Sequence, residues 1–146
     1  MKIRKLSLAI AVTVCGAVLG TGMAHASDDT LCQDMGGVDN IKKIASDTLD
    51  NALADDRIKH TFDNSNIDRV REKLEEQFCA VAGGPCKYSG HSMKEAHKGL
   101  NLTNADFNAI VEDLQKAMDK DGVPFATQNR FLARLAPMQR DVVTKK

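Results

Sequence analysis

His97 is the side chain whose surroundings most invite chemistry. It lies in the stretch Gly83-Gly84-Pro85-Cys86-Lys87-Tyr88-Ser89-Gly90-His91-Ser92-Met93-Lys94-Glu95-Ala96-His97-Lys98-Gly99-Leu100. This stretch runs from a helix stop, through a glycine-rich connection, into one short helical turn, and breaks again at Gly99. A neutral imidazole is a good iron ligand. One histidine on a glycine-bracketed turn between two long helices can hold a haem iron from one side. Spacing alone does not decide the matter, since an isolated histidine is more often a solvated surface group.

The cysteines are the second set of reactive groups. Cys79 and Cys86 flank the Gly83-Gly84-Pro85 break with six residues between them, and Cys32 stands apart. In an oxidising compartment Cys79 and Cys86 are expected to pair, clamping the helix end to the connection and leaving Cys32 odd. The alternative is two free buried thiols, because spacing does not reveal geometry. No Cys-x-x-Cys-His occurs, which excludes covalent haem attachment of the usual c-type.

The start of the chain supports that compartment. A basic Met1-Lys2-Ile3-Arg4-Lys5 precedes an apolar run from Leu6 to Gly20, then Ala24-His25-Ala26 and the acidic Ser27-Asp28-Asp29. This is the layout of a secretory signal peptide over 1–26, cleaved after Ala26, and it places the product in the periplasm or outside the cell. The run is shorter than the roughly 18 residues of a spanning helix, so no stable membrane span is expected in the mature chain. Loss of Lys2, Arg4 and Lys5 takes the basic count from 20 to 17 against 20 acidic residues, a net charge of −3. Charge signs alternate along the chain and no basic face appears, which argues against a nucleic-acid partner.

The remaining residues, 27–146, make one domain. A short helix over Leu31–Met35 ends at Gly36-Gly37. Asp39 or Asn40 is expected to cap a second helix, whose apolar stripe is Ile41, Ile44, Ala45, Leu49, Ala52 and Leu53. The next helix buries Ile67, Val70, Leu74, Phe78 and Val81 and stops at Gly83-Gly84-Pro85. Thr103-Asn104-Ala105-Asp106 is a capping box opening a helix through Phe107, Ile110, Val111, Leu114 and Met118. Pro124 and Thr127 start the last helix, with Phe131, Leu132, Leu135, Met138 and Val142 inward. The class is all-α. Its odd feature is the poorly helical stretch from about Gly83 to Thr103, and a large apolar cofactor in the interior would account for it.

Together these residues resemble the group 1 truncated haemoglobins, globins with a two-over-two helical sandwich around a haem. The landmarks are Gly36-Gly37, Leu53-Ala54-Asp55-Asp56, Phe62, Gly83-Gly84-Pro85 and Tyr88-x-Gly90. They continue with Met93-Lys94-x-x-His97-x-Gly99-Leu100, Gly122-Val123-Pro124 and Leu135-Ala136-Pro137. The resemblance implies non-covalent haem b with His97 as proximal iron ligand, Phe62 against the haem face and Met93 at its proximal edge. Phe107, Val111, Leu114 and Leu135 would line the pocket, and Arg69, Lys73 and Lys94 would face the propionates. His60 and His91 are read as solvated.

The gas side departs from the pattern. Many relatives carry a tyrosine and a glutamine there, where this chain has Leu49 and Leu74, with Val70 one turn earlier. Gln77, one turn beyond Leu74, is the candidate substitute donor, and ligand entry is expected near Phe78. The resemblance implies binding of O2, NO or CO, with nitric oxide detoxification as an enzymatic extension that needs an electron donor. The alternative is a six-coordinate electron-transfer or redox- and gas-sensing protein with Lys73 as distal ligand. A haem-free helical adaptor is the reading from another class.

Overall fold

The computed structural model describes residues 30–145, so the leader expected over 1–26 lies outside the described residues. Among the described residues the secondary structure is entirely helical. The helices are α1 (Thr30–Asp34), α2 (Gly37–Ala54), α3 (Ile67–Val81), α4 (Met93–Ala96), α5 (Asn104–Lys120), α6 (Phe125–Leu135) and α7 (Gln139–Val142). Two 3-10 turns, Lys59–Phe62 and Ala136–Met138, join them. None of the helices is long and apolar enough to cross a membrane.

The four long helices form two crossed layers. α2 packs on both α3 and α5, and α6 also packs on both of these. The apolar stripes meet in a core of Leu31, Met35, Ile41, Ile44, Leu114 and Met118 around Phe78 and Phe131. The Phe78 and Phe131 rings lie edge to face at 5.2 Å between centroids, an arrangement the quadrupoles of the two rings favour. This core fills one end of the domain. At the other end the packed cluster shrinks to Ala52, Ile58 and Ala109, with Phe62 and Ile110 only half-buried beside it. The fold is solid at one end and hollow at the other.

Local signals set the helix ends. Thr103 Oγ1 accepts from the Asp106 N–H at 3.2 Å, and the Asp106 carboxylate accepts from the Thr103 N–H at 2.8 Å. That capping box satisfies otherwise orphaned donors where α5 starts. Asn66 caps α3 by accepting from the Arg69 N–H at 3.0 Å. The cap expected at Asp39 or Asn40 is corrected. α2 already begins at Gly37 after a left-handed Gly36, and the Asn40 amide turns back to donate to the Met35 carbonyl at 2.7 Å. The last helix is also shorter than its apolar period. It stops at Leu135, because Pro137 cannot supply the next backbone donor.

Cys79 and Cys86 are joined by a disulfide with 5.6 Å between their Cα atoms, and Cys32 is a buried free thiol. The bridge fixes the end of α3 to the connection that leads toward α4.

A candidate cofactor cavity between α3, α4 and α5

The hollow end is a cavity of about 380 Å³, bounded by Leu49, Phe62, α3, the connection after Gly83, α4 and the start of α5. Its volume lies within the roughly 300–1,000 Å³ typical of sites for organic ligands. The inner wall is greasy: Leu49, Ile58, Leu102 and Val142 are buried, while Val70, Leu74, Phe107 and Ile110 are half-exposed to the empty space. Such half-buried apolar groups gain when an apolar body fills the gap. Polar groups sit at the rim, where Ser65, Asn66, Arg69 and His91 are all exposed.

His97 enters from α4, and the sequence holds it there. Ser92 and Glu95 form a capping box: the Ser92 N–H donates to Glu95 at 3.2 Å, and the Glu95 N–H donates to Ser92 Oγ at 3.3 Å. The hydrogen bonds from Ser92 hold the Glu95 carboxyl below its ordinary range. His97 closes this single turn, and Gly99 follows with φ near +83°, a left-handed corner that glycine takes at no steric cost. His97 Nδ1 lies 2.7 Å from the Met93 carbonyl oxygen. A carbonyl can only accept, so Nδ1 donates here, which in the neutral ring leaves the Nε2 lone pair for a metal. One backbone contact orients the ring.

Lys73 also borders the cavity, but its amine is engaged three times. It donates to Glu72 at 2.8 Å, Glu76 at 2.9 Å and Ser89 at 2.8 Å. The Glu72 and Glu76 carboxylates push its pKa up. Glu76 in turn accepts from the Ser89 N–H and hydroxyl, both at 2.9 Å. Lys73 and the Ser89 donors bring the Glu76 carboxyl down to about 2. This cluster ties α3 to the connection that carries Tyr88 and His91 to the cavity. A depressed carboxyl pKa stabilises the fold above the ordinary carboxylate value and ceases to as pH falls toward the depressed one. Glu76→Gln should therefore be less stable than wild type above about pH 4.5. That gap should close as the pH falls toward 2, as denaturant midpoints measured across the range would record.

Most of the residues singled out in the sequence gather here. Leu49, Phe62, Arg69, Val70, Lys73, Leu74, Gln77, Met93, His97 and Phe107 all line the cavity. Five others do not. Phe78 is buried against Phe131 in the solid core, so it borders no ligand entry at this cavity. Leu114 and Leu135 pack in that same core, and Val111 stands off the wall. Lys94 is exposed and points no group into the cavity's lining.

Gln77 reaches the cavity, but its amide nitrogen faces two thioethers, Met93 Sδ at 3.1 Å and Met138 Sδ at 3.7 Å. His91, read as solvated, is exposed yet lines the rim. Val142 and Leu102 were missed as wall residues. The Thr144 and Lys145 N–H groups, both 3.0 Å from the Leu102 carbonyl, hold the C-terminal turn against the cavity. No spacing rule announces that contact.

An apolar-walled cavity with His97 held at its edge by α4, in an all-helical sandwich, is the arrangement of a globin-type cofactor protein. The bacterial-like globin family model matches residues 30–144. The group 1 truncated hemoglobin of Tetrahymena pyriformis is 33% identical over 116 residues, 80% of this chain and 96% of that relative. That of Mycolicibacterium paratuberculosis is 30% identical over 110 residues, 75% of this chain and 81% of its own. The crystal structure of the T. pyriformis protein in its Fe(III) form superposes with a TM-score of 0.76 at 32% identity, covering 79% of this chain and 98% of the other. The chain belongs to the bacterial-like globins, as a group 1 truncated haemoglobin. It is a haem globin of the gas-binding kind.

The residues present fit that group. Apolar walls suit a porphyrin face, the His97 imidazole suits iron, and Arg69 and His91 at the rim suit carboxylates.

Proposed function

We propose that this protein holds non-covalent haem b through His97 and binds CO and NO in preference to O2. Haem held there would supply an iron able to bind a diatomic gas. The observation that carries the reading is the 2.7 Å contact of His97 Nδ1 with the Met93 carbonyl oxygen on the edge of an apolar cavity. His97 Nε2 is the ligand, with the Met93 carbonyl raising its basicity through the shared proton. Phe62 and Phe107 exclude water from the ring faces, while Arg69 and His91 meet the propionates.

The α3 wall sets ligand choice. O2 bound to ferrous haem draws negative charge outward and rewards a donor, whereas CO does so much less. Leu49, Val70 and Leu74 have no donor to give, and the Gln77 amide faces the Met93 and Met138 thioethers. Conversion of nitric oxide to nitrate needs a firm hold on O2 and an electron donor, so this wall supports gas binding over that enzymatic role. For Lys73 to act as sixth ligand, its amine would have to leave Glu72, Glu76 and Ser89 and lose its proton. These bonds favour Lys73 as a structural tie over Lys73 as a metal ligand. The Cys79–Cys86 bridge and the leader-like start support an exported, periplasmic or secreted protein.

The test is a hemin titration of the mature protein, followed by reduction and exposure to CO. The expected result is a Soret band saturating at one haem per chain, a five-coordinate reduced spectrum and a sharp carbonyl band. A protein that stays colourless, or a low-spin ferric spectrum that disappears in Lys73→Ala, would overturn the reading.

A further inference from the structure

Two of the three cysteines of residues 30–145, Cys32 and Cys79, lie against one glycine, and the third, Cys86, is bonded to Cys79. A Cβ on Gly84 would stand 2.8 Å from Cys79 Sγ and 3.3 Å from Cys32 Sγ. The two sulfurs are therefore no farther apart than those lengths end to end, about 6 Å. Cys79 already bonds Cys86, so a free buried thiol lies close to a disulfide, with Gly84 against both Cys32 and Cys79. The sulfurs come from three places in the chain: α1, the end of α3 and the connection. Cys79 is fully buried, while Cys86 is half-exposed on the connection.

We propose that Cys32, Cys79 and Cys86 form a thiol–disulfide exchange centre that can release the connection bordering the cavity. The Cys32 thiolate attacks Cys79 Sγ. A Cys32–Cys79 bond forms as the Cys79–Cys86 bond breaks, and Cys86 leaves as a thiolate that takes up the proton Cys32 has lost. One disulfide and one thiol exist before and after, so no oxidant or reductant is consumed.

The direction has a structural logic. The new bridge joins two buried sulfurs, and the released thiol is the half-exposed one. Once Cys86 is free, its segment keeps the Ser89 hydrogen bonds to Glu76 and Lys73 but no covalent tie to α3. That segment brings Tyr88 and His91 to the cavity, so the exchange couples the cavity's rim to the thiol chemistry of the surroundings. The freed Cys86 would also be the thiol that an external low-molecular-weight disulfide meets first. Because the thiolate is the nucleophile, raising the pH speeds the step.

Two measurements test this, neither of which needs haem. In the first, mature wild-type protein is held at pH 6 or pH 9, quenched in acid, alkylated in denaturant without reductant, and mapped by peptide mass spectrometry. The expected result at pH 9 is alkylated Cys86 together with a linked Cys32–Cys79 peptide pair, both absent from Cys32→Ala. Labelling of Cys32 alone at both pH values, or equal Cys86 labelling in Cys32→Ala, would overturn the proposal.

The second uses Cys86→Ser, which leaves Cys32 and Cys79 both free. A mild thiol oxidant should join them within one chain. Two thiols that remain alkylatable, or that pair only between chains, would overturn it. Should Cys86→Ser fail to fold, the wild-type map decides alone.

Discussion

His97→Ala is expected to lose most of its hold on haem and all of its stable reduced carbonyl spectrum. The reasoning starts from the donor set. His97 is the proposed iron donor, and among the described residues no group of three or more His, Cys, Asp or Glu is placed to hold a metal ion in its stead. Cys79 and Cys86 are committed to a disulfide, and the Lys73 amine is kept charged by Glu72 and Glu76. The apolar walls would still attract a porphyrin, so the variant should bind hemin loosely rather than not at all. A loss of about a hundredfold in affinity or more, about 2.8 kcal/mol, is the expected scale.

Stability should follow the same linkage. At haem concentrations a hundred times the wild-type dissociation constant, the cofactor adds about 2.7 kcal/mol to the folded state. Wild type should therefore melt several degrees higher with hemin than without, and His97→Ala should lose nearly all of that rise. Absorbance titration and thermal melts in parallel make the check. If the variant keeps full affinity and a five-coordinate reduced spectrum, another residue is the ligand.

The helices were legible in the sequence because their signals are local. Gly83-Gly84-Pro85 ends α3, and Thr103 with Asp106 opens α5, through contacts within a few residues. The same rule would have found the Ser92–Glu95 box that steadies the His97 turn, since its spacing is identical. Asn40 shows the limit of this reasoning. It has a capping residue's chemistry, yet the Gly36 corner starts the helix earlier and turns the amide backward onto Met35.

What periodicity could not tell was which end of each apolar stripe faces the hollow. On α5, Phe107 and Ile110 border the cavity, whereas Leu114, Ala117 and Met118 lie in the solid core. The stripe is continuous, and only the packing of α1 and α6 at one end divides it. Gln77 and Phe78 are neighbours on α3, one turned to the cavity and the other to Phe131. The family pattern located the cavity but could not resolve that rotation. Leu135, at the end of α6, packs against the solid core, and Val142 takes a place on the wall beside the tail's bonds to Leu102.

Leu74→Gln is the substitution that asks most directly what the α3 wall is for. Leu74 lines the cavity, is half-buried and sits between Val70 and Gln77 on the same helix face. Glutamine is close to leucine in size, so the change adds an N–H donor with little steric strain. A hydrogen bond to a charged acceptor contributes about 1.5–3 kcal/mol, which is roughly a 10- to 150-fold gain in affinity. That gain should fall on O2, whose bound form is polarised, and scarcely on CO.

The expected result is thus a rise in the O2-to-CO affinity ratio by about one to two orders of magnitude, carried mainly by slower O2 release. Flash photolysis with both gases measures it. Because the new amide enters a greasy wall, it should also lower apo-protein stability unless it finds a partner. Gln77→Leu supplies the opposite test. Its amide faces Met93 and Met138, so removing it should leave the ratio nearly unchanged. A large fall in O2 affinity on losing Gln77 would mean that its amide turns from the thioethers to the gas. The wall would then carry a donor after all, and the preference for CO and NO would have to be abandoned.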